Sequence, residues 1–261
     1  MSEVESTVEI SVNEKVCLLT LNRPGKRNAI SLQLASELRE AIISADSNPD
    51  VSVIAITGKG SAFCAGADLQ EARNQDEAGG LYRGPLQRPE RTIYEVMIDS
   101  RKPILAIING PAVAGGFELA LACDIRVAAD SVHFAVPEAK RGMGANFASV
   151  LLPQSVPPPI AMEWLFTGRA ISVAEAERWG IVNHVCKPEA LQDVGMRLAS
   201  EIAASAPLSL QRMKITYRRS AGMPLHAGLR LDVGPDPYAS EDRKEGARAF
   251  LERRPPVWRG R

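Results

Sequence analysis

The sequence predicts a layered, spiral α/β fold followed by a helical C-terminal region. Two continuous apolar runs rich in β-branched residues, "VSVIAITG" (51–58) and "PILAIING" (103–110), indicate buried parallel strands, because strands covered on both faces are apolar throughout. Strand-strand-helix material recurs at least twice around these runs. That recurrence favours a spiral of β-β-α units over a simple doubly wound sheet.

The first unit is indicated by residues 8–48. "VEISVNEKVCLLTLNRP" (8–24) predicts two strands around a turn at Asn13-Glu14, ended by Pro24. "SLQLASELREAIISADSN" (31–48) predicts a helix, since its apolar residues recur at helical spacing. The predicted buried face is made of Leu34, Leu38, Ala41, Ile42 and Ala45.

The middle of the chain continues the same alternation. Residues 70–92 are polar and contain Gly and Pro, which predicts a short helix start and then a mobile loop. In "GPAVAGGFELALACD" (110–124), the residues after the two glycines, Phe117 to Ala122, predict a helix that is apolar nearly all round and therefore buried. Residues 125–130 and 133–136 predict short strands.

After residue 145 the chain is predicted to be mostly helical. In "ISVAEAERWG" (171–180), Ser172 and Glu175 have capping-box spacing, and Gly180 is placed as a C-cap. A brief strand is predicted at 180–186.

Three further helices are predicted beyond this strand, at 189–204, at 207–221 and from Ser240 onward. We divide the chain near residue 200 into a core, 1–200, and a helical appendage, 201–261.

Composition excludes several classes of function. The chain has 261 residues, with Lys+Arg and Asp+Glu both 31 and a pI near 6.9. This balance gives no bulk attraction to nucleic acid or to an anionic membrane. The four cysteines lie far apart without a C-x-x-C pair, which indicates free thiols in the cytoplasm. The three histidines have no metal-ligand spacing, so we expect no metal site.

Glu118 is the anomaly of the predicted buried helix. An ionised carboxylate in an apolar environment is costly unless it is paired or its pKa shifts. A structural explanation is a buried partner such as Arg126. Gly115-Gly116 favour a functional one, because glycines let another group approach the backbone closely at a helix start, where free N–H groups point outward. Such N–H groups suit a developing negative charge.

Two other stretches offer related features. "GKGSAFCAGADLQ" (58–70) is a second strand-to-helix turn of small residues with accessible N–H groups, or else an ordinary tight turn. "HFAVPEAKRG" (133–142) places Glu138 directly after a strand, either on the surface or facing the same pocket as Glu118.

From about residue 10 onward, the chain resembles the crotonase (enoyl-CoA hydratase/isomerase) superfamily. The resemblance rests on five segments in order: "NRPGKRNAIS", "AFCAGADL", "INGPAVAGGFELALACD", "PEAKRG" and "SAPLSLQRMK". "FELALACDIRVAADSVHFAVPEAKRG" and the C-terminal tail are most similar to the carnitinyl-CoA dehydratase branch. The chain departs from common hydratases at "GMGANFAS" (142–149) and at Ala114, where many members have glycine.

The resemblance implies a role for each motif residue. The N–H groups of Ala67 and Gly115 would hold the thioester oxygen, and Glu118 and Glu138 would hold a water between them. We assign Glu118 as the base toward water and Glu138 as the acid toward Cα, although coupled carboxylates titrate as a pair and the roles can exchange. The implied residues around coenzyme A and substrate are Lys26, Arg27, Ala29, Ala65, Asp68, Leu69, Gly116 and Pro137.

The implied activity is enoyl-CoA hydratase: reversible syn addition of water to a 2-enoyl-CoA thioester, or dehydration of a 3-hydroxyacyl-CoA such as carnitinyl-CoA, in fatty acid metabolism. Coenzyme A is then part of the substrate, and no separate cofactor is implied. The implied assembly is a homotrimer or a hexamer of two trimers, built on the helical C-terminal region. The alternatives are a Δ3,Δ2-enoyl-CoA isomerase, which needs one acid/base group, another hydrolase or lyase of the superfamily, and a non-catalytic partner protein with this fold.

Overall fold

The computed structural model describes residues 5–79 and 90–261. Its strands are β1 Val8–Asn13, β2 Val16–Leu21, β3 Val53–Gly58, β4 Ile104–Ile108, β5 Ala112–Val113, β6 Ile125–Ala129, β7 His133–Ala135, β8 Ile171–Ser172 and β9 His184–Cys186. Its α-helices are α1 Leu32–Ser47, α2 Leu69–Glu77, α3 Ile93–Asp99, α4 Gly115–Ala122, α5 Ala148–Ser155, α6 Pro158–Thr167, α7 Val173–Arg178, α8 Leu191–Ala203, α9 Pro207–Ser220, α10 Leu225–Gly228 and α11 Glu241–Glu252.

The main sheet has the order β1-β2-β3-β4-β6-β9. β1 and β2 pair antiparallel, and every later pair in this sheet is parallel. The predicted turn position was wrong by one residue: Asn13 pairs with Val16, so the turn consists of Glu14 and Lys15. Both turn residues have positive φ, 45° and 68°, which matches the right-handed twist of a two-residue hairpin.

A second, three-stranded sheet of order β5-β7-β8 shows how the units are stacked. After β3, the chain forms an isolated parallel bridge between Cys64 and Ala112. β5 follows β4, β7 follows β6, and these two short strands pair with each other in parallel. Each unit therefore adds one strand to the main sheet and one short segment beside the second sheet, which confirms the predicted spiral.

The core lies between the main sheet and its helices. All six residues of β3 and all five of β4 are buried, as predicted from their uninterrupted apolar runs. The five predicted apolar residues of α1 are also buried. α8 packs against β3 and β4. The predicted boundary at residue 200 lies inside α8, and the division into two units stays a prediction.

The C-terminal helices begin and end near the predicted residues. Helix α7 ends in a Schellman motif, because Ile181 N donates to Ala176 O and Gly180 N donates to Glu177 O, with Gly180 at φ 75°. Ser172 accepts from Glu175 N, but the reciprocal half of the predicted box is not formed; the Glu175 carboxylate instead binds Arg169. In the predicted loop 70–92, the helix start is α2, and residues 80–89 lie outside the described residues. Across the described ranges, no helix combines the length and apolarity needed to cross a membrane.

Candidate active site

A cavity of about 540 Å³ opens between α1, α3 and the start of α4. Its wall contains both predicted acid/base residues and both predicted N–H donors, together with three residues predicted to surround coenzyme A. These residues are Glu118, Glu138, Ala67, Gly115, Ala65, Asp68 and Leu69. The spiral thus brings together segments that are up to about 70 residues apart in the sequence.

Glu118 lies on α4, a helix whose every residue is buried. Its Oε1 accepts hydrogen bonds from Phe147 N and Ala148 N, each 3.0 Å long, at the start of α5. Burial raises the pKa of Glu118, and these two N–H groups act in the opposite direction because they stabilise the carboxylate. The Oε1 oxygen of Glu118 is therefore held as a hydrogen-bond acceptor.

The structural explanation for Glu118 through Arg126 is wrong. Arg126 donates instead to the backbone oxygens of Ala120, Cys123 and Ile181, so it caps the C-terminal end of α4. A cation at the end of a helix with free carbonyl groups is favourable. Glu118 is consequently held by backbone donors and faces the cavity.

Glu138 begins the 3-10 turn Glu138–Arg141 and is 6% exposed. Its Oε2 is buried and has no hydrogen-bond partner within the described part of the chain. The pKa of Glu138 is raised to about 7, chiefly by burial and also by the negative charge of Glu118, while a backbone N–H of its own residue and the charge of Arg141 act in the opposite direction. A carboxyl group in this state can donate a proton near neutral pH.

The backbone N–H groups of Ala67 and Gly115 belong to two residues that line the cavity on neighbouring segments. Within residues 5–79 and 90–261, neither N–H takes part in a backbone hydrogen bond. The segments that carry them touch, since a Cβ built on Gly66 would lie 3.1 Å from the nitrogen of Gly115. Two preorganised donors of this kind stabilise a developing oxyanion.

Close approach explains both glycines at the start of α4. A Cβ on Gly116 would lie 2.1 Å from the carbonyl oxygen of Cys64, and one on Gly115 would lie 2.6 Å from the hydroxyl oxygen of Tyr94. Ala114, just before them, has φ 54° and ψ −131°, a conformation that glycine adopts more easily. The turn that precedes α4 is thus held in a strained conformation.

Other predicted residues lie outside the cavity wall. Lys26 and Arg27 lie exposed on the 3-10 turn Pro24–Lys26 and at its end. Ala29 is half-buried next to this turn. Gly116 packs against residue 64, and Pro137 directly precedes the turn that carries Glu138.

Asp68, although on the wall, already has partners. Its carboxylate pairs with Arg23 at 2.9 Å and accepts from Gln70 N and Glu71 N, so it caps α2.

Sequence reasoning missed Tyr94 and left Phe147 without a role. Tyr94 lines the cavity and donates to Gly115 O at 3.1 Å. Its ring packs on that of Phe147, with the centroids 4.4 Å apart. Phe147 lies in "GMGANFAS" (142–149), one of the departures from common hydratases, whereas Tyr94 comes after the polar 70–92 stretch and carried no signal.

Comparison with known proteins identifies the family of the chain. The family model described as enoyl-CoA hydratase/isomerase matches residues 11–261. Carnitinyl-CoA dehydratase of Citrobacter koseri is 41% identical over 256 residues, covering 93% of this chain and 94% of that protein. The Salmonella enteritidis protein of that name is 38% identical, covering 99% and 100%.

Solved structures give the same result. The crystal structure of enoyl-CoA hydratase from Mycobacterium tuberculosis is similar with a TM-score of 0.88 and 33% identity, covering 98% of this chain and 100% of that one. A family model that spans nearly the whole chain, and relatives of this identity and coverage, confirm the resemblance seen in the five motifs. The chain belongs to the enoyl-CoA hydratase/isomerase family, within the crotonase superfamily.

Proposed function

We propose that this chain is an enoyl-CoA hydratase that adds water reversibly to a 2-enoyl-CoA, and equally a dehydratase of the corresponding 3-hydroxyacyl-CoA. The observation that carries the proposal is the pair of buried glutamates on one cavity in unlike surroundings. Glu118 accepts two backbone N–H bonds, whereas Glu138 has a pKa near 7 and a buried oxygen without a partner in the described chain.

The proposed step uses both groups. Glu118 takes a proton from water as the water oxygen bonds to Cβ, and the π electrons move to the thioester oxygen. The N–H groups of Ala67 and Gly115 stabilise that enolate oxygen more than the neutral thioester, which lowers the barrier. Glu138 then gives its proton to Cα as the electron pair of the enolate forms the new C–H bond and the thioester carbonyl re-forms. Loss of a proton from Glu118 to solvent and uptake of one by Glu138 return the pair to its starting state. Dehydration is the same sequence in reverse.

The primary test uses crotonyl-CoA as the probe. Loss of the conjugated-thioester absorbance, with a product heavier by one water, is the expected result. If crotonyl-CoA binds without reacting, crotonobetainyl-CoA is tested next, since the similar dehydratases are named for carnitinyl-CoA. An isomerase would instead convert 3-enoyl-CoA without adding water, and a protein that binds neither thioester would contradict the proposal.

The activity should depend on pH through both carboxyl groups. Hydration needs Glu138 protonated, so kcat/KM should fall as pH rises through about 7. It also needs Glu118 ionised, so the rate should rise with pH on the acid side, above the ordinary range for glutamate because burial raises that pKa. The measurement is kcat/KM for crotonyl-CoA across this range. A rate that keeps rising beyond neutral pH would contradict the assignment of Glu138 as the acid.

Lys26 and Arg27 are proposed to meet the phosphates of coenzyme A. Their exposure leaves both charges available to an anionic ligand. Lys26→Ala and Arg27→Ala should each raise KM for crotonyl-CoA about 2- to 5-fold, equivalent to the 0.5–1 kcal/mol of an exposed ionic contact. The crotonyl thioester of pantetheine, which lacks the nucleotide phosphates, should be unaffected. Lys244→Ala, on exposed α11, is the matched control; an equal effect on both thioesters would overturn the phosphate role.

We further propose a homotrimer or a hexamer of two trimers in the cytoplasm. Support comes from large apolar side chains that are at least 67% exposed on the C-terminal helices or directly after one of them, namely Met213, Tyr217, Leu225, Leu229, Phe250 and Leu251, because such surfaces mark interaction sites. Three of the four thiols are buried, which suits a reducing compartment. Light scattering of the purified protein tests the assembly, and a monomer at micromolar concentration would contradict it.

A further inference from the structure

Tyr94 is not one of the two acid/base groups, but it contacts the residues next to each part of the site: Gly115, which carries a candidate N–H donor, and Phe147, which holds Glu118. It lies on α3, which begins with a complete capping box between Thr92 and Glu95, and it is 6% exposed. Its hydroxyl donates to the carbonyl oxygen of Gly115 at 3.1 Å. Its ring packs on Phe147 with the two planes inclined by 40°.

The hydroxyl of Tyr94 contacts the backbone at the start of α4. Gly115 and Gly116 have no side chains to fix them, and Ala114 before them is in a strained conformation. The hydroxyl oxygen of Tyr94 fills the space where a Cβ of Gly115 would lie. A hydrogen bond to the carbonyl of Gly115 therefore limits rotation of the residue whose N–H faces the cavity.

The ring of Tyr94 contacts Phe147, which holds Glu118. Phe147 supplies one of the two N–H groups that hold Oε1 of Glu118. Tilted aromatic pairs at this separation are attractive beyond the area that they bury. The ring of Tyr94 thus fixes the residue that orients the carboxylate of Glu118.

We propose that Tyr94 is a positioning residue that aims the N–H of Gly115 through its hydroxyl and the carboxylate of Glu118 through its ring. The proposal rests on the hydratase function given above. It predicts that the two roles can be separated by two conservative substitutions. Tyr94→Phe removes the hydroxyl and keeps the ring pair, and Phe147→Leu removes the ring pair and keeps the backbone N–H.

Two readouts distinguish these roles. The first is kcat and KM for crotonyl-CoA. The second is the red shift of a bound chromophoric thioester, 4-dimethylaminocinnamoyl-CoA, which reports polarisation of the thioester carbonyl whether or not turnover occurs. Tyr94→Phe should reduce the red shift and lower kcat about 10- to 100-fold, the range for small misplacement of reacting groups, with little change in KM. Phe147→Leu should lower kcat while leaving the red shift intact.

The control variant changes a tyrosine outside the candidate site. Tyr238→Phe, which changes an exposed tyrosine of the 3-10 turn Pro237–Ala239, should match the wild type in both readouts, and thermal denaturation checks that every variant is folded. A wild-type red shift in Tyr94→Phe, or a change in KM alone in either variant, would overturn the proposal. A wild-type protein that binds the probe without any red shift would overturn it as well. If the wild-type protein red-shifts the absorbance of the bound probe but hydrates no enoyl-CoA, the proposed function is wrong. The positioning role is then tested by the red shift in Tyr94→Phe alone.

Discussion

Glu118→Gln and Glu138→Gln should each lower kcat for hydration by about 10²- to 10⁴-fold, the usual contribution of a positioned acid or base. Glutamine keeps the shape of the side chain but neither accepts a proton from water nor donates one as an acid. In Glu118→Gln, the amide oxygen of the new side chain can still accept from Phe147 N and Ala148 N, which preserves the local geometry. Affinity for saturated butyryl-CoA should therefore stay within about twofold of the wild type.

The control for these variants is Glu177→Gln, an exposed glutamate on α7. It loses the same charge far from the cavity and should keep wild-type kcat. Single-turnover measurements with crotonyl-CoA separate the chemical step from product release. If either cavity variant retains the full hydration rate, the mechanism with two carboxyl groups is wrong.

Gly116→Ala should damage both stability and activity. The added Cβ would lie 2.1 Å from Cys64 O and 2.8 Å from Cys64 Cβ. Residue 64 has little room to retreat, because its N–H and its carbonyl are bonded to Pro111 O and Val113 N. Overpacking of this kind reduces the free energy of unfolding by about 1–3 kcal/mol or more. The displaced segment carries the N–H of Ala67, so kcat/KM should fall by about 10²-fold.

Gly228→Ala is the matched control for this clash. In α10 its Cβ would meet only Ser220 Cβ, at 3.4 Å, and alanine is the better helix former. Its melting temperature and kcat/KM should equal or exceed those of the wild type. Gly116→Ala with unchanged melting temperature and kcat/KM would show that α4 and the 64–67 segment do not need this close approach.

The sequence was most informative where one local signal decided the structure. The apolar runs of β3 and β4, the periodicity of α1 and the glycine at the end of α7 each specify their own element, and each was predicted correctly. Glu118 was also recognisable from the sequence alone, since a single carboxylate in an apolar helix requires an explanation.

What the sequence left open depends on contacts between distant segments. Nothing near Glu118 indicates that its donors are Phe147 and Ala148, which follow 29 and 30 residues later, or that Arg126 turns to the end of α4 instead. The capping box at Ser172 was predicted from spacing, but Arg169 attracts the Glu175 carboxylate more strongly than a backbone N–H does. Tyr94 illustrates the same limit, because its partners come from α4 and from the residue before α5.

The buried carboxyl group of Glu138 makes the stability of the fold depend on pH. Its pKa rises from 4.5 to about 7 on folding, so the native chain takes up a proton that the unfolded chain releases. The stability gained from this proton is fully present below pH 4.5 and is lost as pH rises through about 7. The loss amounts to about 3 kcal/mol, a sizeable part of the margin that keeps a typical domain folded. The raised pKa that suits Glu138 to act as an acid therefore also lowers the stability of the fold at alkaline pH. Replacing Glu138 with an uncharged residue should lower turnover and raise stability in alkaline solution.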